Sequence, residues 1–374
     1  MMIRYAFSSL ALALTLLLSA APVHAQTVHV GIVIPQSGQF KLLGDHVRQA
    51  FAVWNADNPG VFADVVEGDD GCTEQSGKDS AAAMVEAGVD IVVGFLCTET
   101  LAAALPLLTK EGIPVMTLTV RADIIAEEAT RLGWKFFRLA PRAGSEADIA
   151  ADAIFRFWAD QPFALIEDGA ISGRELVEAI RIKLENRGLK PTFVDNYRPG
   201  QTTQPSLMRR LKSAGVTRVF VGGERADLAV IAYEADYQSV SLKFMGGDSL
   251  DAPETEYPIP DGTIAVLAAA ATPGPEDEAA RAAFASRDMI AEGLRIPAYA
   301  AAEIIGAAAN RMAYGETGLY ELLSQKTFTT ALGPVTFEPN GERREPGFVL
   351  ALLDDGTFRR LSIEDAAALA GENQ

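Results

Sequence analysis

A chain of 374 residues with 49% apolar side chains exceeds the size of one comfortable core, so two lobes are expected. Its 50 acidic residues outnumber 32 basic ones, for a formal net charge of −18. That balance opposes binding to nucleic-acid phosphates or anionic membrane surfaces and favours solubility.

The first 25 residues have the plan of a secretory signal: Arg4 is the positive start and Leu10–Leu18 the apolar stretch. That stretch is about half the roughly 20 residues a membrane span needs. Val23-His24-Ala25 offers small residues for cleavage before Gln26, and no cysteine follows the cut to take a lipid. A free protein exported to the periplasm is expected.

Val28–Pro35 reads as a buried strand from its β-branched residues, and residues 43–57 carry Val47, Phe51 and Trp54 at helical spacing. Strand signals follow at 61–67, 90–96 and 113–119, with helices over 77–88 and after Thr98. The rhythm restarts beyond 134–142, with strands at 162–168, 190–196, 216–223 and 241–248. Two such runs predict an α/β fold of two doubly wound parallel-sheet lobes. Ile264–Pro273 is the longest later apolar run and is too short to span a membrane. Residues 298–312 form a small-residue helix, and 333–361 read as an antiparallel pair with turns at Pro339–Glu342 and Asp354–Thr357.

Cys72 and Cys97 are the 2 cysteines. In an oxidising compartment they are expected to pair, and closing that loop is worth about 3–4 kcal/mol in the chain-entropy model. A metal site there lacks further ligands, and a nucleophile lacks a convincing base, since export leaves only His29 and His46. No cofactor or metal is expected. Thr98, Glu99 and Thr100 stand where a strand ends and a helix opens, a place suited to an anionic group or to an ordinary N-cap. An exported hydrolase is the rival class. G-x-S-x-G is absent, and Gly71–Asp79 has the wrong glycine spacing for a phosphate loop, so no enzyme is expected.

Four stretches, residues 30–45, 69–75 with 91–100, 220–224 with 242–249, and 332–342, carry a resemblance to the leucine/isoleucine/valine-binding proteins. These are the periplasmic type I solute-binding proteins of amino-acid ABC transporters. The resemblance implies two α/β lobes joined by three crossovers, 26–140 plus 272–332 and 141–271 plus 333–374, closing as a monomer on an amino acid for a membrane permease. It also implies a Cys72–Cys97 disulfide beside the ligand loop. Thr98 takes the place of the hydroxyl that binds the ligand α-carboxylate, Thr119 that of a backbone group on the zwitterion, and Asp248 that of the acid accepting the α-ammonium. Leu43, Ser172 and Glu224 stand where relatives tend to place aromatic walls, and Arg121 stands where they have a second hydroxyl. Arg121 and Glu224 either meet a polar ligand side chain or pair with each other across the closed cleft. A sensor working with a membrane receptor is the alternative to transport.

Overall fold

The computed structural model describes residues 27–371 apart from 143, 254–255 and 316–317, so the signal-sequence expectation lies outside the described residues. Near-unbroken burial of Val30–Ile34 marks the first strand as central, the pattern of a sheet covered on both faces. The chain runs β1 (Val28–Ile34), α1 (Lys41–Asp57), β2 (Phe62–Asp69), α2 (Glu74–Glu86), β3 (Ile91–Gly94), α3 (Thr98–Lys110), β4 (Val115–Thr117), α4 (Asp123–Leu132) and β5 (Phe136–Arg138). These strands form one parallel sheet in the order β2-β1-β3-β4-β5.

The chain then crosses to α5 (Ser145–Trp158), β6 (Phe163–Glu167), α6 (Ile171–Asn186), β7 (Phe193–Asn196), α7 (Pro205–Ala214), β8 (Arg218–Gly222), α8 (Arg225–Tyr237) and β9 (Lys243–Gly246). A 3-10 turn at Asp248–Asp251 leads to β10 (Ile264–Ala268), the apolar run that hydropathy alone left unassigned. It returns to the first lobe for α9 (Glu278–Ala285), α10 (Arg295–Ala313), α11 (Leu319–Gln325), β11 (Thr327–Thr330) and β12 (Gly333–Thr336). The last crossing leads to β13 (Phe348–Asp354), β14 (Thr357–Arg360) and α12 (Ile363–Gly371). The second sheet has the order β14-β13-β10-β9-β8-β6-β7, with β13 and β14 antiparallel at one edge.

Each sheet is packed on both faces. In the first lobe Val47, Phe51 and Trp54 of α1 meet Ile304 and Ile305 of α10 on one face, while Met84, Leu101, Leu105 and Ile125 cover the other. Gly306 lets these two helices approach, because a Cβ there would sit 2.2 Å from the Trp54 ring. In the second lobe Leu207, Leu211 and Leu228 cover one face, and Ile154, Phe157 and Ile180 the other.

The tail departs from the expected pairing. The turn at Asp354–Thr357 does close the β13–β14 hairpin, but β12 pairs backwards with β11 rather than forwards with β13. Val335 and Phe337 thereby join the first lobe's core, so the final crossing follows Phe337 and not residue 332. Among the described residues no helix is long and apolar enough to cross a membrane.

Candidate functional site

The carboxyl ends of parallel strands are where an open α/β sheet offers backbone and side chains to a ligand. In the first lobe that end is tightly built. Gly94 closes β3 at φ 118, and a Cβ there would lie 2.1 Å from the Val33 carbonyl oxygen, so only glycine fits. Asp70, 1% exposed, gathers the loops on both sides. Its carboxylate accepts from the N–H groups of Leu96 (2.5 Å), Cys97 (3.2 Å) and Cys72 (3.1 Å) and from the Thr100 hydroxyl (2.5 Å). The Cys72–Cys97 disulfide spans the same loops with Cα atoms 5.2 Å apart, and no cysteine is free. Helix α3 then starts at Thr98 with Cys97 in the N-cap position and no side-chain oxygen capping it. Thr119, after β4, donates its hydroxyl to the Leu96 carbonyl at 2.9 Å, tying the next loop to this one.

Across the cleft, Asp248 opens the 3-10 turn after β9. Its Oδ1 accepts from the Ala268 N–H at 2.8 Å, and its own N–H donates to Glu146 Oε1 at 2.8 Å. Its Oδ2 faces Arg121 Nη2 of the other lobe at 3.8 Å. The Arg121 guanidinium lies 5.3 Å from the centroid of the Phe348 ring. Glu146 is pushed toward its protonated form, by burial first and also by the Asp248 charge, against the pull of the Asp248 N–H and Arg121.

These groups border an inter-lobe cavity of about 560 Å³, whose walls include Leu118, Thr119, Leu139, Ala268, Leu332 and Arg343. Of the residues expected from sequence, Thr119, Arg121 and Asp248 meet on this cavity. Thr98 sits two residues beyond Leu96, to which Thr119 is bonded, and does not itself line the cavity. Leu43 is half-buried in α1, Ser172 is exposed in the first turn of α6, and Glu224 is exposed as the N-cap residue of α8; none of the three lines the cavity. Of the two roles open to Arg121 and Glu224, meeting a polar ligand side chain or pairing with each other, the structure shows neither directly; Arg121 instead faces Asp248. Two groups that organise the site, Asp70 and Glu146, escaped sequence reading. Asp70 stands two residues before the first cysteine and Glu146 in the first turn of a helix, where an acid ordinarily serves the helix dipole.

A family model described as periplasmic binding protein matches residues 27–357. A Leu/Ile/Val-binding protein homolog of Brucella melitensis is 27% identical over 345 residues, covering 88% of this chain and 92% of its own. The fold is shared with a solved protein from Rhodospirillum rubrum described as a branched-chain amino acid ABC transporter. That match has a TM-score of 0.76 at 17% identity and covers 89% of this chain and 99% of the other. A solute-binding protein of an ABC transporter from R. palustris, solved in complex with benzoate, gives 0.62 at 16% identity, covering 90% and 96%.

Proposed function

The chain belongs to the periplasmic binding protein family, and from that premise we propose that it captures a small carboxylate-bearing solute, an amino acid or a related acid, between its lobes and hands it to the permease of an ABC importer. The observation that carries this reading is the inter-lobe approach of Arg121 to Asp248 beside a cavity of about 560 Å³. That volume falls within the range of small-molecule sites, roughly 300–1,000 Å³. Thr119, Arg121 and Asp248 are the proposed inner contacts, and Thr98, Leu43, Ser172 and Glu224 the proposed rim. The uncapped start of α3 supports an anionic group near Thr98, because helix N-termini present free N–H groups and positive potential. The protein acts as an exported monomer in the periplasm and carries out no chemistry on its solute.

A thermal-shift screen against amino acids, small carboxylates and amides tests the reading. A solute that binds only the folded state at a hundred times its Kd adds about 2.7 kcal/mol of stability, which raises the melting temperature by an easily measured amount. Absence of any shift across all three classes sinks the proposal.

A further inference from the structure

Six charged side chains border the inter-lobe cavity: Arg121, Arg281, Arg343, Asp248, Asp251 and Glu292. Their existing bonds decide what a solute can find there. Arg281 is spent, with Nε on Asp277 (2.7 Å) and its other nitrogens on the carbonyls of Ala291 (3.0 Å) and Ala270 (3.2 Å). Arg343 is buried, donates to the Leu332 carbonyl at 3.1 Å and faces Glu345 at 3.7 Å. Glu292 faces Arg295 at 3.5 Å, and Asp251 is biased toward its neutral form by burial and then by Asp248. Asp248 has one oxygen on the Ala268 N–H and the other toward Arg121.

Arg121 differs from the rest. Its side chain is 43% exposed, and among the described residues its ion pair is the single 3.8 Å approach of one nitrogen to Asp248. A guanidinium carries five N–H donors in a rigid fork that suits carboxylates. Most of that capacity is open, and the acid across from it already has this cation beside it.

We propose that the solute of this cleft is an apolar carboxylate without an α-ammonium group, held by the open edge of Arg121 with its body against Leu118, Leu139 and Leu332. This rests on the cleft reading above and narrows its ligand class. An α-ammonium aimed at Asp248 comes to lie beside the Arg121 guanidinium, which brings two cations together. A simple acid meets no such conflict, because Arg121 keeps Asp248 on one edge and takes the solute on the other. The Phe348 ring lies under the guanidinium at the lobe junction.

The test is calorimetric titration of the ligand-stripped mature protein with matched pairs. L-leucine is set against 4-methylpentanoate and 4-methyl-2-oxopentanoate, and L-phenylalanine against 3-phenylpropanoate, with benzoate added. The deaminated acid of at least one pair should bind at least about tenfold tighter than its amino acid. Arg121→Ala should weaken that acid about tenfold or more, and Arg121→Lys should restore part of the loss. Melting curves of the variants confirm that they fold. Tighter binding of the amino acids, abolished by Asp248→Asn, overturns the class while leaving the cleft reading intact. Acid binding that ignores Arg121→Ala overturns the assignment of Arg121. Binding by no member of any pair and not by benzoate overturns this ligand class and leaves the cleft reading to the wider screen.

Discussion

Single carboxylates show how burial sets behaviour in this protein. Glu303 of α10 accepts the Ala331 N–H at 2.6 Å, clamping the β11–β12 turn to the helix. Burial is the larger influence and pushes its pKa up to about 7 against the pull of that donor. The folded state therefore keeps a proton that the unfolded chain releases near the ordinary value of 4.5. The neutral carboxyl's contribution is fully present below that value and is lost as the pH rises toward 7. Glu303→Gln keeps the acceptor and removes the charge. In urea unfolding it should gain on the order of 1–3 kcal/mol over the wild type near pH 8 and nothing near pH 4. An equal difference at both pH values overturns the assignment. Asp70 makes the contrasting case: four donors surround it, yet its sequence neighbourhood gives no hint. Two of those donors are backbone N–H groups 26 and 27 residues away, and no local period records such partners.

Elements followed from the sequence wherever a period could carry them. Strands β1, β3, β6 and β8 are short apolar runs buried on both faces, and β1 and β3 are rich in β-branched residues, so composition and length sufficed. Pairing was not legible in the same way. Residues 333–336 have the alternation of a strand, but what they pair with depends on the preceding Thr327–Thr330, a short polar stretch with little signal of its own. The β3–α3 connection is the element on which the proposed site depends most. Its conformation at Gly94 combines φ 118 with a carbonyl oxygen where a Cβ would go. Gly94→Ala should therefore cost about 2–4 kcal/mol and displace the Thr98 loop, since the neighbouring strand cannot move aside. Urea unfolding measures the first effect and weakened solute binding at temperatures where the variant is folded measures the second. A loss within about 0.5 kcal/mol, the range of an ordinary surface change, contradicts this account of the turn.

At the scale of the whole molecule, the two lobes were legible because family-like stretches recur in order along the chain, but their mutual contacts were not. Arg121 and Asp248 were each visible as site positions, while their partnership needed both lobes in place. The crossings decide how the lobes can move. The second crossing is gripped from both sides: Arg281 of the first lobe holds the Ala270 carbonyl, and Arg360 of β14 holds those of Ala269 (3.1 Å) and Thr272 (3.1 Å). The third crossing is tied in as well, since the Ser145 hydroxyl donates to the Pro346 carbonyl (3.0 Å) and the Ala269 N–H to that of Gly347 (2.9 Å), while Gly144 and Gly347 both adopt φ 76. The Arg121–Asp248 pair spans the gap but is weak, because exposed ion pairs are worth about 0–1 kcal/mol. Such a latch shifts an open–closed balance by at most about fivefold, so the solute has to supply most of the closing free energy. Arg121→Ala should raise the solute-free radius of gyration in small-angle scattering only slightly. A saturating solute should lower the radius of both proteins without changing their far-UV circular dichroism. A radius that does not change at saturation means the lobes are already closed, and a large expansion in solute-free Arg121→Ala means the pair is a stronger latch than its exposure allows.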